Sequence, residues 1–296
     1  MRQLTLLFTL LVFSSLALAQ NPAPTDAPAE DEGEALDLFD GDTDVNDEGW
    51  PRFAIGVGYM WLDANGTFDV ATPSGNRVTI IDLDRLGVDD KDGTPWVSLR
   101  WRSRSSNWGV WAGYWSFNGA GFRVWEDELD LGDGTLIPVG AGVATDLSTD
   151  WYIIEATYSF VHNETWDVGI GAGFHVVDIG ATLVAGASAG DESRTRELAK
   201  FDTLAPLPNI LGYASWHFSD RWHLTARYGW FGLSYDEYDG EMTNLHALAV
   251  YDFSKRWSLE AGYQFVKLDV DVDEGNYTTL YDMDFDGPMA VLRFTF

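Results

Sequence analysis

Apolar residues recur at every second position along the chain beyond residue 50, and this period restricts the fold more than any other feature. The segment 166–176 places Trp, Val, Ile, Ala, Phe and Val on one face and Asp, Gly and His on the other. The segments 53–61 and 222–230 repeat the pattern. A period of two is typical of a β-strand with one apolar and one polar or small face, whereas an amphipathic helix repeats about every 3.6 residues. The sequence therefore predicts an all-β fold.

The connections between these strands alternate between two lengths. Four are short and polar, namely Arg104–Asn107, His162–Thr165, Ser219–Arg221 and Ser254–Arg256. Five are long and rich in Gly, Asp and Ser, and they cover roughly residues 63–94, 118–150, 178–207, 234–241 and 270–282. Tight turns at one end and long loops at the other are typical of antiparallel up-and-down barrels that span a bacterial outer membrane. The pattern predicts a transmembrane β-barrel of about ten strands, with eight or twelve as alternatives because a long loop could hide or supply a hairpin.

The composition excludes several other classes of protein. Among the 296 residues 15% are aromatic, none is Cys, and 47 Asp and Glu outnumber 18 Lys and Arg, for a formal charge of −29. No stretch of 18 apolar residues follows the first twenty, which argues against a helical membrane protein. The lack of Cys excludes a disulfide scaffold and thiolate chemistry. Because the charge would repel phosphate, we expect no nucleic acid partner.

The N-terminal residues predict export. Arg2 precedes the largely apolar run Leu6–Phe13, and Ala17–Ala19 has the small-x-small pattern of a cleavage site, which predicts a signal peptide over residues 1–19. Residues 20–49 contain eleven Asp and Glu and no Lys or Arg, so they are predicted to form an acidic disordered tail. The barrel is predicted to occupy residues 50–296.

Aromatic residues mark the short-turn end of every predicted strand. On the apolar face, the position nearest the short turn is always Phe or Trp, which predicts a girdle at a membrane–water boundary. The predicted girdle consists of Phe53, Trp101, Trp108, Phe160, Trp166, Phe218, Trp222, Phe253, Trp257 and Phe296.

The same register directs the charged residues of the strands into the lumen, since a charge on the lipid face is costly. We expect Glu260 to neighbour Arg293, His217 to face His223, and the side chains of Trp96, Trp111 and Trp115 to point inward. Two interpretations are open: a narrow charged channel or proton-sensitive site, and a network of paired charges that fills a small barrel. The predicted lumen network consists of Arg100, Arg102, Glu155, Asp167, His217, His223, Arg227, Glu260 and Arg293, and His175, His246 and Gln264 enlarge it.

Two rows of carboxylates continue the outward parity of the last two strands. The apolar residues change sides there, which predicts that the barrel extends beyond the membrane with carboxylates outside and a small apolar core inside. Oxygen ligands of this kind could hold Ca²⁺ or Mg²⁺ against lipopolysaccharide phosphates. The alternative is a solvated hairpin that its charge keeps soluble. The rows are Asp269, Asp271 and Asp273 on one strand, and Asp282, Asp284 and Asp286 on the other.

Several segments resemble a widespread group of uncharacterised proteobacterial outer-membrane β-barrel proteins, small and porin-like. The matching pieces span roughly residues 52–296 and include 81–90, 205–208, 238–240, 268–272, 281–288 and the C-terminal 292–296. The resemblance implies the barrel fold, an outer-membrane location in a Gram-negative cell, and recognition of the terminal Phe296 by the barrel assembly machinery. It implies no established activity. Apart from the possible Ca²⁺ or Mg²⁺ at the aspartate rows, we expect no cofactor.

The sequence offers little support for an enzyme. His217 and Ser219 are two residues apart and could form a base–nucleophile pair, as in barrels that deacylate lipid A, but they lie at a predicted periplasmic turn. The omptin proteases place Asp and His on the outer rim of a ten-strand barrel, and no such pairs occur here at corresponding positions. We therefore expect a non-enzymatic outer-membrane protein, structural or a narrow porin-like channel. A surface protein that binds cations, lipopolysaccharide or a macromolecule is the alternative, and a hydrolase ranks last.

Overall fold

The described residues of the computed structural model form β-strands and turns. They are residues 51–71, 77–82, 91–104, 106–124, 129–130, 136–137, 142–189, 192–235, 238–273 and 278–296. The predicted signal peptide and acidic tail lie outside them. Over the described ranges there is no helix long and apolar enough to cross a membrane.

The strands are numbered here in chain order. They are β1 (Phe53–Ala71), β2 (Arg77–Asp82), β3 (Lys91–Arg102), β4 (Trp108–Val124), β5 (Leu129–Asp130), β6 (Leu136–Ile137), β7 (Gly142–His162), β8 (Trp166–Ala189), β9 (Glu192–His217), β10 (Trp222–Tyr235), β11 (Tyr238–Asp252), β12 (Trp257–Asp273) and β13 (Thr278–Thr295).

The sheet closes on itself. Each long strand pairs antiparallel with its neighbour in the order β13-β12-β11-β10-β9-β8-β7-β4-β3-β1, and β1 pairs back with β13 from Ala54↔Thr295 to Ala71↔Thr278. The short β2 continues the line of β3 along the upper part of β1, while β5 and β6 form a separate small hairpin. The described chain is thus a closed antiparallel barrel of ten strands, and the predicted fold class and strand number are confirmed.

The four predicted short turns are confirmed, and side chains hold three of them in shape. Asn163 Oδ1 accepts backbone N–H groups of Thr165 and Trp166 at 3.0 and 2.9 Å. Ser219 Oγ accepts those of Arg221 and Trp222 at 3.4 and 3.0 Å, and Ser254 Oγ accepts those of Arg256 and Trp257 at 3.2 and 3.0 Å. Asn and Ser favour tight turns because a short polar side chain can bond to the backbone two or three residues further on.

The prediction of long loops at the opposite end, called the far end below, was wrong over much of their length. The segment predicted as a loop over 178–207 is mostly strand, since β8 runs to Ala189 and β9 begins at Glu192. The inward positions Val177, Ile179 and Ala181 remain apolar and buried, so the alternation continues past the point where the outward face becomes polar. Gly, Asp and Ser on that outward face gave the segment the composition of a loop.

Along the strands, the outward face of the wall changes from apolar to polar, and the inward face changes from polar to apolar. On β1, the outward Ile55, Val57 and Trp61 are 37%, 57% and 53% exposed, and the next outward residue is Asp63. Nine residues from Phe53 to Trp61 rise about 3.3 Å each and, tilted by about 40°, cover roughly 23 Å, which matches the apolar band of an outer-membrane barrel. Beyond that band the outward face is mostly polar, with Phe122, Val124 and Leu204 as exposed exceptions, and most apolar residues lie inside.

Gly66 gives a test of the closure between β1 and β13. Its φ is +141°, and a Cβ there would lie 2.1 Å from the carbonyl oxygen of Asp282. Because an L side chain rarely adopts this conformation, Gly66→Ala is expected to lower the free energy of unfolding by about 2 kcal/mol. Urea unfolding in detergent micelles measures the effect. Gly212→Ala is the matched control, since a Cβ there meets nothing within 4 Å; equal stability of the two variants would contradict the strain.

Candidate functional site

The predicted aromatic girdle surrounds the short-turn end of the barrel. Eight of its ten residues are exposed, and Trp101 and Trp257 are half-buried. Neighbouring rings pack on one another: Trp166 stacks on Trp216 with centroids 5.8 Å apart, and Trp257 lies 4.8 Å from Phe294. The girdle residues therefore pack in separate groups with further aromatic rings at the same end of the barrel.

A second aromatic border at the top of the apolar band was missed by the sequence analysis. Tyr114 donates a hydrogen bond to Asp150 at 2.8 Å, Trp230 Nε1 donates to Glu241 at 3.2 Å, and Tyr263 donates to Asp286. In each case a ring at the edge of the apolar band reaches a carboxylate at the start of the polar wall. Part of the signal is present in the sequence, because the outward residues change from Tyr or Trp to polar residues within two positions on β1, β4 and β7.

The lower half of the lumen contains three arginine–carboxylate pairs. Arg102 Nη2 lies 2.5 Å from Asp167 Oδ2, Arg227 pairs with Glu155, and Arg293 Nη1 lies 2.7 Å from Glu260 Oε1. The first two pairs join strands that are three positions apart in the ring of ten, so they cross the interior. Burying an unpaired charge is costly, and direct pairing offsets that cost.

Glu155 is the centre of a larger network. It accepts a hydrogen bond from Asn209 Nδ2 at 2.8 Å, and its Oε1 lies 3.3 Å from His175 Nε2. The guanidinium of its partner Arg227 lies 4.5 Å from the centre of the Trp111 indole. Trp111 is on β4, which is four strands away from the strand of Arg227 around the barrel. The network therefore reaches across the bore. Asn209 was not among the predicted lumen residues, although it shares the inward parity of His217 on the same strand.

The register of the last hairpin differs slightly from the predicted one. Trp257 pairs with Phe294, so Ser258, and not Glu260, lies directly opposite Arg293. The side chains of Glu260 and Arg293 still meet diagonally, as their ion pair shows. Arg293 also lies 3.6 Å from Asp252 at the short-turn end.

All five histidines lie in the interior or at the short-turn end. His217 and His223 face each other with ring centroids 4.4 Å apart, and His223 Nδ1 lies 3.3 Å from Asp252. His162 contacts Arg102 and Asp167, while His175 and His246 are buried. The Ser219 hydroxyl accepts backbone hydrogen bonds in its turn. The described far rim thus contains no histidine.

An apolar layer, called the aromatic plug here, fills the lumen above the charged network. Trp115 stacks on Trp151 with centroids 4.9 Å apart and planes inclined by 10°. The ring centroids of Trp151 and Phe285 are 6.0 Å apart. Their strands, β7 and β13, are four positions apart around the barrel, so this contact spans the bore. Trp96 likewise reaches across to His246 at 5.5 Å. The buried residues of the plug are Met60, Leu62, Trp96, Trp115, Phe117, Trp151 and Phe285.

Two cavities lie below the plug. The inner one has a volume of about 60 Å³ and is lined by Trp96, Trp111, Arg100 and Arg227. The outer one, called the vestibule here, has a volume of about 520 Å³ and opens among the short turns, where Arg221 and Lys255 line it. Arg100 lines both cavities.

The two rows of aspartates lie on the outer wall above the apolar band, as predicted. Asp269 pairs directly with Asp282 across β12 and β13, and all six aspartates are exposed or half-buried. Lys267 Nζ lies 3.5 Å from Asp282 Oδ1, and this carboxylate raises the pKa of Lys267. Across the described ranges, no group of three His, Asp or Glu side chains is placed to hold a metal ion.

Solved structures share this fold, although no protein family and no curated protein matches the sequence. The outer membrane protease OmpT from Escherichia coli matches with a TM-score of 0.56 and 12% identity, over 83% of this chain and 97% of that chain. Neisserial surface protein A has a TM-score of 0.32, 12% identity and coverages of 82% and 97%. The Pseudomonas putida toluene transporter TodX has a TM-score of 0.31 and 10% identity, over 82% of this chain and 89% of that chain. At such identity the likeness to OmpT shows an outer-membrane barrel fold and nothing of activity.

Glu155→Gln tests the charged network. The substitution leaves Arg227 inside the barrel without its carboxylate, so we expect the free energy of unfolding to fall by about 3 kcal/mol. Urea unfolding measures the change, and Glu164→Gln in the exposed turn between β7 and β8 is the control. Adding Arg227→Met to Glu155→Gln should restore part of the loss. If the single variant is as stable as the control, the pair does not stabilise the lumen.

Proposed function

We propose that this protein is a non-enzymatic outer-membrane barrel that is closed to ions and acts as a structural scaffold presenting an acidic wall beyond the membrane. The observation that supports a closed barrel is the aromatic plug, whose contacts join strands on opposite sides of the bore. Of the two interpretations left open by the sequence, the plug favours a filled lumen over a narrow channel.

The composition of the plug explains why ions should not pass. A permeating ion needs polar groups or water to replace its hydration shell, whereas this layer consists of Trp, Phe, Met and Leu side chains. The bore of a ten-strand barrel is only slightly wider than one that side chains fill completely. Trp115, Phe117, Trp151 and Phe285 contact one another across it, and we infer that these four rings block a continuous polar path.

The exposed surface supports the membrane location. An apolar band of about 25 Å with aromatic borders on both sides is the expected outer surface of such barrels. A water-soluble barrel would expose these rings to solvent at both ends of the band. The proposed signal peptide and the terminal Phe296 agree with export and insertion by the barrel assembly machinery.

Conductance in planar bilayers tests the closed state. Wild-type protein should show no steady current, because the plug excludes hydrated ions. The double variant Trp151→Ala/Phe285→Ala removes two rings that meet across the bore, and it should conduct. Trp216→Ala/Phe218→Ala removes two exposed girdle rings instead and should remain silent. Steady current through the wild type, equal to that of the plug variant, would contradict the proposal.

A second candidate function is binding of Ca²⁺ or Mg²⁺ at the outer wall, with lipopolysaccharide phosphate completing the site. The direct pairing of Asp269 with Asp282 favours it, because two facing carboxylates can share a hard cation. Lys267 opposes it, since its ammonium group already pairs with Asp282. Any ion at this pair would need water or phosphate oxygens as its remaining ligands.

The unfolding temperature of the purified protein with calcium and with chelator tests this candidate. Binding to the folded state raises stability by mass action, so millimolar Ca²⁺ should raise the unfolding temperature. The increase should disappear in Asp269→Asn/Asp282→Asn and persist in Asp220→Asn, which changes an exposed short-turn carboxylate. If chelation leaves the wild-type value unchanged, the wall has no cation role.

A further inference from the structure

Arg100 differs from the other arginines of the lower lumen. Arg102, Arg227 and Arg293 each pair with a carboxylate. Within the described residues the Arg100 side chain makes no hydrogen bond and no ion pair of 4.0 Å or less, and Glu260 attracts it only from a longer distance. Arg102, Arg227 and Arg293 line the same inner cavity against two carboxylates, Asp167 and Glu260, so the net charge around Arg100 is positive.

An unpaired guanidinium inside a barrel has a cost that the fold does not require. Desolvation of a charge without a partner is unfavourable, and an uncharged polar or apolar residue could fill the same position. An anion brought in from outside would remove this cost. A guanidinium presents several N–H donors in one plane, which suits a carboxylate or a phosphate group.

The vestibule gives such an anion both room and a route. Its volume of about 520 Å³ lies within the range of small-molecule sites, roughly 300–1,000 Å³. Five Arg and Lys side chains line it against three Asp side chains. It is open among the short turns and meets the small inner cavity at Arg100, so a ligand would enter and leave at the same end.

We propose that the vestibule is a binding site for a small oxyanion, a carboxylate or a phosphate group carried by a molecule from the periplasmic side, with Arg100 as its main contact. Ser215 lines the same space, and its hydroxyl, 2.9 Å from that of Thr225, can donate to one of the remaining oxygens. The positive lining draws the anion in from the turns, where Arg221 and Lys255 lie.

Calorimetric titration of the detergent-solubilised full chain in a low-salt buffer tests the site. The probes are inorganic phosphate and succinate, which represent the two sources of an oxyanion, in separate titrations. Wild type and Arg104→Gln, which removes an exposed cation from the turn between β3 and β4, should bind at least one probe with similar affinity. Arg100→Gln should bind that probe at least tenfold more weakly, and Arg100→Lys should lie between.

The unfolding temperature separates loss of the site from loss of the fold. Without anion, Arg100→Gln should unfold at or above the wild-type temperature, because it removes a charge that has no partner. With anion, only proteins that retain Arg100 should be stabilised. Binding of phosphate alone would assign the site to phosphate groups, and binding of succinate alone to carboxylates. Equal binding by wild type and Arg100→Gln, or no binding of either probe, would overturn the proposal, whether or not the barrel conducts.

Discussion

Every backbone N–H and C=O group that faces hydrocarbon needs a partner within the protein, because lipid offers none. The pairing of β1 with β13 meets this requirement by removing the last free edges of the sheet. Closure also fixes which residues face inward, since a slip by one position would reverse both faces of a strand. The girdle, the charged network and the plug therefore all depend on the register that closure sets.

Within that register, the lower and upper halves of the barrel differ in which face of the wall is apolar. In the lower one the outside is apolar and the inside holds Arg102–Asp167, Arg227–Glu155 and Arg293–Glu260. In the upper one the outside is polar, and the inside is an apolar core of the kind found in water-soluble proteins. The plug lies where the two meet. A charged lumen is thus compatible with a closed barrel, because the charges end below an apolar layer.

Much of this arrangement can be predicted from the sequence, because alternate residues of a strand face opposite sides of the wall. An odd or even position therefore tells whether a side chain points outward or into the lumen. The girdle, the short turns and the outward aspartates follow from counting positions. Contacts between distant strands cannot be counted in this way: the diagonal meeting of Glu260 with Arg293 depends on a two-residue shift. The extended upper strands were missed because their outward Gly, Asp and Ser masked inner residues such as Ile179. The unpaired state of Arg100 emerges only when the partners of its neighbours are known.

The central claim is that the aromatic plug interrupts the lumen completely. Water is the smallest permeant that could reveal a gap, so osmotic water permeability of vesicles containing the protein is the most direct measurement. The account predicts that shrinkage in a stopped-flow osmotic jump is as slow as in vesicles without protein. Shrinkage that becomes faster in proportion to the protein content would contradict it, since it would require a continuous water path past Trp115, Trp151 and Phe285.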